Sequence, residues 1–140
     1  MILGHGPDKK KLINLSKDLK IIKKVKFKGW VSDTSVYLKK SRIFILSSLY
    51  EGLPNSLIDA VNYEIPSIST KCSGAEDILN FNEGVYFNFK DYKELVKKMN
   101  IMDNNYEKSL NKIKLSKLKI NRFFIKKQVE ESLKYLNNIV

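Results

Sequence analysis

Arginine, cysteine and histidine are nearly absent from this chain. Of its 26 basic side chains only Arg42 and Arg122 are arginines, and the rest are lysines. Readers of specific nucleic-acid sequences lean on arginine for bidentate base contacts. No motif of such a module is present, so nucleic acid is not an expected partner. The single cysteine, Cys72, excludes an internal disulfide framework and suits a reducing compartment. No histidine lies near it in sequence, so it reads as structural rather than reactive. The single histidine, His5, leaves no ligand spacing for a closed metal site, and no metal is expected. No apolar run approaches the roughly 18 residues of a membrane span. The first residues also lack the charged, apolar and small-residue succession of a signal peptide. A cytoplasmic location is therefore expected.

What is present fits one soluble globular domain: 140 residues, 43% hydrophobic and 29% charged. The formal net charge is +11. Such an excess could attract an anionic membrane surface or acidic lipid-linked substrates. It could equally reflect a general bias toward Lys, Asn and Ile. Composition does not decide between them.

The most informative stretch is Ser47 to Ala60, SSLYEGLPNSLIDA. A short apolar run, Ile43 to Leu46, precedes it and has the length of a buried parallel strand. Gly52 then provides a tight turn, Pro54 a first helical position, and Asn55 begins a helical pattern. Strand, turn and helix in that order set backbone amides and a helix dipole at the carboxyl edge of a sheet. Open α/β sheets bind phosphorylated ligands there. Two carboxylates, Glu51 and Asp59, frame the turn. Eight helical steps of about 1.5 Å would separate them by roughly 12 Å, a span suited to hydroxylated groups at either end of a diphosphate. The plainer reading is that Glu51 complements the helix dipole and Asp59, opposite Leu57 and Val61, is solvated.

The wording EGLPNSLIDA resembles the signature of retaining GT-B glycosyltransferases of group 1 (family four), in which two acids stand eight residues apart. The resemblance implies that Glu51 holds hydroxyls of the donor sugar and Asp59 the ribose of the nucleotide. Asp59 stands where the family has Glu, one methylene longer. By the same resemblance Gly52, Leu53, Pro54 and Asn55 line the donor site. Ser73 and Gly74 match a glycine-containing loop near the sugar and phosphates, with Lys71 close enough in sequence to assist. Asp77 matches a family acid, while Glu76 is unusual there and would repel a phosphate if it pointed inward.

The rest of the chain reads in order as β-α units. Met1 to Leu3 is the tail of a strand, closed by Gly4-His5-Gly6-Pro7, similar to the family's turn near the nucleotide; His5 has a turn role. Asp8 can cap a helix to about Lys20 with Leu12, Leu15 and Leu19 on one face. Val25-Lys26-Phe27 is a short strand ending at Gly29. Trp30 and Val31 follow it, as flanks of the nucleotide base by resemblance or as packing residues. Ser32 and Asp33 can cap the next helix. The helix from Pro54 ends near Tyr63, and Ile65, where the family has glycine, reads as an exposed, tolerant turn. Ser67-Ile68-Ser69 alternates as a strand, Val85 to Phe87 is another, and a helix from Asp91 breaks at Asn104 and Asn105. The last stretch is helical, with Phe123, Phe124, Val129, Leu133 and Leu136 apolar and in part exposed.

The fold class expected is α/β: a Rossmann-like three-layer parallel sheet with helices on both faces. By resemblance it is the C-terminal half of a GT-B fold, with the first strand and helix missing. A single nucleotide-sugar-binding domain is expected over 1–140, with 91–140 a helical extension. The implied function is donor binding in a retaining glycosyltransferase that uses a UDP- or GDP-linked sugar, without a resident cofactor. The implied acceptor is a glycan or lipid-linked glycan, and the implied partners are an N-terminal acceptor domain or partner chain and the inner face of a membrane. Two other readings remain open: a catalytically inactive nucleotide-binding or interaction module of the same fold, and a basic protein that associates with RNA or membranes.

Overall fold

The computed structural model describes residues 1–79, 84–120, 129 and 132–134. The apolar positions Phe123, Phe124 and Leu136 lie outside the described residues. The chain divides into two compact units, Met1–Val36 and Tyr37–Val140.

The first unit is a β-α-β arrangement: β1 (Ile2–Leu3), α1 (Lys9–Asp18) and β2 (Phe27–Gly29), with the two strands parallel. The second strand lies slightly later than the apolar residues suggest, because Ile2 pairs with Phe27 and Leu3 with Gly29. Asp8 occupies the N-cap of α1, but its side chain makes no capping hydrogen bond. The helix stops at Asp18, short of the expected Lys20, because Lys20 turns left-handed at φ 57°. The amides of Ile21 and Lys20 then donate to the carbonyls of Ser16 and Lys17, a Schellman closure made without glycine.

Helix α2 (Ser35–Leu38) starts with the Ser35 amide donating to Asp33 Oδ1 at 2.8 Å, as the sequence suggests. The second unit continues with β3 (Phe44–Leu46), α3 (Asn55–Asn62), β4 (Ser67–Thr70), α4 (Ser73–Leu79), β5 (Val85–Phe87), α5 (Tyr92–Asn104) and α6 (Tyr106–Ile120). Its sheet has the order β3-β4-β5, parallel throughout. One face packs against α3, α4 and α6 through Leu46, Leu57, Val61, Ile78, Ile113 and Ile120. The other face buries Ile68 and Phe87 with Met102, Leu95 and Met99 of α5. Each fully buried aliphatic side chain of this kind stabilises by about 1.5–3 kcal/mol. Helices on both faces of a parallel sheet are the expected architecture. Both α5 and α6 belong to these layers, and among the described residues Leu118, Val129 and Leu133 are exposed.

Two details depart from expectation. Although Ser67 and Ser69 alternate with Ile68, all four residues of β4 are buried. Its hydroxyls find acceptors inside: Ser67 Oγ donates to the Ile65 carbonyl at 2.7 Å and Ser69 Oγ to the Thr70 carbonyl at 2.9 Å. A central strand covered on both sides can carry serine on those terms. Ile65 is also buried, packed with Leu38 and Ala60, and is no exposed turn. The left-handed position is Glu64, at φ 58°, while Glu64 and Ile65 donate their amides to the Val61 and Ala60 carbonyls. Glu64 Oε1 also accepts from Lys117 Nζ of α6 at 2.7 Å, tying this turn to the last described helix layer. At the opposite side of α5, Asp91 accepts the Glu94 amide at 2.8 Å. Arg42 pairs with Asp103 and lies 4.1 Å over the Tyr106 ring, pinning the start of β3 to the α5–α6 break.

Two predictions follow from these turns. Lys20→Gly should raise stability by about 0.5–1 kcal/mol in urea unfolding, since left-handed backbone strains a side-chain-bearing residue. For Glu64, the hydrogen bond and charge of Lys117 lower the carboxyl pKa from its ordinary 4.5. Its contribution is therefore complete above that value and lost as pH falls through the depressed one. Glu64→Gln should lower the thermal midpoint at pH 7, and the difference from wild type should shrink as pH falls below 4.5.

Candidate functional site

The site is built where β3 and β4 end. Beyond Leu46 the chain turns polar, and Ser48 and Thr70 stand at the carboxyl ends of neighbouring strands. Thr70 Oγ1 donates to the Ser48 carbonyl, fastening the β3–α3 loop to β4. The Ser48 hydroxyl donates in turn to Glu51 Oε1 at 2.7 Å, so the half-buried carboxylate is held by a side chain that the loop itself positions. Neither Ser48 nor Thr70 was singled out from sequence. The only available signal was a hydroxyl at each of two adjacent strand ends.

Pro54 sits one place earlier than its expected first helical position. With φ −75° and ψ 92° it is the N-cap of α3, and its carbonyl accepts the amides of Leu57 and Ile58. No side chain caps this helix, and its first turn carries no acid. Asn55 and Asp59, four residues apart, share the exposed side of α3, while Leu57, Ile58, Ala60 and Val61 face the core. Leu53, Leu49 and Tyr50 are exposed along the loop.

Gly52 and Gly74 differ in how tightly the structure constrains them. Gly52 is not left-handed, and a Cβ added to it would meet nothing within 4 Å. A Cβ on Gly74 would stand 2.2 Å from the Gly52 carbonyl oxygen and 2.8 Å from Pro54 Cδ. Gly74 is therefore required so that the start of α4 can seat against the β3–α3 loop. Ser73 stands exposed beside it as the first residue of α4. Glu76 is half-buried on the side of Tyr86. Burial, then the charges of Glu76, Cys72 and Asp77, keep the Tyr86 phenol protonated far above its ordinary range. Cys72 is buried within the core cluster. Lys71 lines a different hollow of 310 Å³ with Asn88, Glu94 and Lys98, which neither Ser73 nor Gly74 borders.

The remaining candidates belong to the first unit. Gly4, left-handed at φ 104°, donates its amide to the Gly29 carbonyl at 2.7 Å. Gly4, His5, Gly6 and Lys9 border a 240 Å³ cavity at the carboxyl end of β1. Trp30 is 76% exposed and Val31 half-buried, so Trp30 is no core residue. Within the second unit, Gly52, Pro54 and Gly74 come into contact, Glu51 is held by Ser48, and Asn55 and Asp59 share one helix face. Among the described residues no three His, Cys, Asp or Glu side chains gather as metal ligands.

The sequence profile of a family described as glycosyl transferases group 1 matches residues 1–119. An uncharacterized glycosyltransferase of Haemophilus influenzae is 33% identical over 132 residues, covering 93% of this chain and 37% of the relative. A Campylobacter jejuni α-1,4-N-acetyl-D-galactosaminyltransferase, named for an acceptor built on diphospho-undecaprenol, is 31% identical over 143 residues, covering 99% of this chain and 39% of the relative. Among solved structures, that of Anabaena HepE in complex with UDP superposes with a TM-score of 0.82 at 19% identity, covering 95% of this chain and 40% of that one. The chain thus spans about 40% of the length of each of these relatives.

The contact at Gly74 has a direct test. Gly74→Ala should destabilise the fold by about 1–3 kcal/mol, because the blocking atoms are backbone. Gly52→Ala should stay within about 0.5 kcal/mol of wild type. Urea unfolding of the two variants measures both.

Proposed function

Since the chain belongs to the group 1 glycosyl transferases, we propose that it binds the nucleotide-sugar donor of a retaining transferase that elongates a lipid-linked or polysaccharide glycan. The observation that carries this reading is a carboxylate, Glu51, held by Ser48 beside the uncapped amino end of α3. In this reading the donor diphosphate lies over that helix end, where amides and the helix dipole favour an anion. Glu51 accepts from hydroxyls of the transferred sugar, and Asp59 from the ribose. Leu53, Asn55, Ser73 and Gly74 border the same ligand, and Gly4, Trp30 and Val31 serve the nucleotide. Asp59 is exposed on α3, as a hydroxyl acceptor must be.

Transfer moves the anomeric carbon from the diphosphate oxygen to an acceptor hydroxyl with its configuration kept. Bond cleavage leaves negative charge on the departing diphosphate, and preorganised donors at that position are the main source of acceleration. The reading calls for no resident metal or cofactor. The UDP in the HepE complex supports a uridine donor, and the Campylobacter relative's name supports a lipid-diphosphate acceptor. The proposed setting is the cytoplasmic face of a membrane. Among the described residues no helix is long and apolar enough to cross one. Because the chain spans about 40% of its relatives, acceptor binding falls to a further domain or partner chain.

Calorimetry with UDP, GDP, UDP-N-acetylgalactosamine and UDP-galactose tests the proposal. Binding of a UDP-sugar is expected, with little transfer by the chain alone. Glu51→Ala should weaken UDP-sugar binding about tenfold, the loss of one charge-assisted hydrogen bond, while leaving UDP within about twofold. Equal losses for UDP and UDP-sugar would instead mark a nucleotide-binding module without sugar recognition.

A further inference from the structure

The hollow beside Lys71 carries charges that the candidate donor site does not use. It has a volume of 310 Å³ and lies in the second unit between β5 and α5, bordered by Lys71, Tyr86, Asn88, Glu94 and Lys98. No residue assigned above to the donor borders it. Small-molecule pockets begin at about this size, roughly 300 Å³.

The backbone sets two features of its wall. The Lys71 amide donates to the Phe87 carbonyl at 3.2 Å, so the Asn88 amide, one residue on, points away from β4 and toward α5. Glu94 meets it there. Its Oε2 accepts the Asn88 amide at 2.8 Å, while its own amide donates to Asp91 Oδ1 at 2.8 Å. The carboxylate is thereby fixed at the hollow, and its Oε1 makes no hydrogen bond among the described residues. Glu94 and Lys98 also stand four apart, in the order that favours an ion pair on a helix. They form none, because Glu94 is turned back to Asn88. Lys98 therefore borders the hollow half-buried, with no ion pair among the described residues.

Two ammonium groups, one carboxylate oxygen and one carboxamide thus face the same space. A bare anion there would meet the Glu94 carboxylate, and a neutral sugar would leave the lysines unmatched. A ligand with phosphate at one end and hydroxyls at the other satisfies each group. We propose that the hollow binds a phosphorylated polyol, its phosphate on Lys71 and Lys98 and its hydroxyls on Glu94 and Asn88. Such a group comes either from a soluble sugar phosphate or from the head group of a glycerophospholipid. The turn from Asn88 to Glu94 exposes Phe89 by 41% and Tyr92 by 70%, with Lys90 Nζ 5.6 Å from the centre of the Phe89 ring. Aromatic and basic residues together settle at a bilayer surface, so the lipid is the expected source. That choice of source rests on the membrane setting proposed above; the site itself does not.

Calorimetry of the full chain with glycerol phosphate, inorganic phosphate and UDP-galactose tests the site. Glycerol phosphate should bind saturably, and at least about fivefold tighter than inorganic phosphate. Lys71→Gln and Lys98→Gln should each weaken it about tenfold, the loss of one charge-assisted hydrogen bond. Glu94→Gln should weaken glycerol phosphate yet leave inorganic phosphate equal or tighter, since the carboxamide keeps the Asn88 contact and removes the charge. Lys119→Gln, at an exposed lysine of α6, should change neither by more than about twofold; circular dichroism confirms folding of each variant. Vesicles of phosphatidylglycerol should bind the wild type and lose Lys98→Gln, whereas phosphatidylcholine vesicles bind neither. Glycerol phosphate binding without Lys98-dependent vesicle binding keeps the site and overturns the lipid source. Absence of glycerol phosphate binding overturns the site, as do indifference to Lys98→Gln and equal affinity for inorganic phosphate. Competition by UDP-galactose overturns it too, because the hollow would then belong to the donor. Glycerol phosphate binding without UDP-galactose binding sinks the donor assignment alone, and the reverse sinks the hollow alone.

Discussion

Position 74 has no side chain because the carbonyl of Gly52 already occupies the space one would need. That contact decides the shape of the candidate site. It seats the start of α4 against the loop after β3, so that two successive strand-to-helix turns form one surface. The Thr70 hydroxyl on the Ser48 carbonyl fixes the same loop from the strand side. Ser48 can then orient Glu51 without help from solvent. A carboxylate held this way loses little side-chain freedom when a ligand arrives, and less of the interaction energy is spent on ordering. Chemistry that depends on placing a sugar relative to a departing diphosphate benefits most from such rigidity.

How much of this is legible in the sequence depends on how local each cause is. The apolar run Ile43 to Leu46, the helix face of Leu57 and Val61, and the break at Asn104 are written in neighbouring residues, and they stand where expected. The need for glycine at 74 arises from a loop 22 residues earlier, and no local period encodes it. The sequence therefore pointed to the right residue for another reason, namely amides offered to an anion. Ser48 and Thr70 look like ordinary loop and strand hydroxyls until the strands are adjacent. In β4 each serine hydroxyl is spent on a nearby carbonyl, which only the covered strand reveals. Lys71 follows β4 directly, yet the groove it borders belongs with α5 and β5.

Scarcity of glycine explains a second group of departures. Three left-handed positions fall to Lys20, Glu64 and Lys90. Each strains its backbone by about 1–2 kcal/mol relative to glycine, and the first two are offset by the hydrogen bonds that close their helices. At α3 the turn also delivers Ile65 into the pocket of Leu38 and Ala60, which a solvent-facing turn would forgo. Glu64, forced outward by the same geometry, meets Lys117. A lysine-rich chain thus supplies the partner that makes a strained acidic residue acceptable at that corner.

The two units differ in how completely each satisfies itself. The second covers both faces of its sheet with helices, whereas the first has two short strands, one helix and three exposed leucines. Thirty-six residues by themselves bury too little surface for independent stability. The cavity bordered by Gly4, His5 and Gly6 opens directly beyond β1. Its turn is held from the β2 side, where the Gly4 amide donates to the Gly29 carbonyl. Glu51 and α3 rest on a frame that the second unit builds by itself.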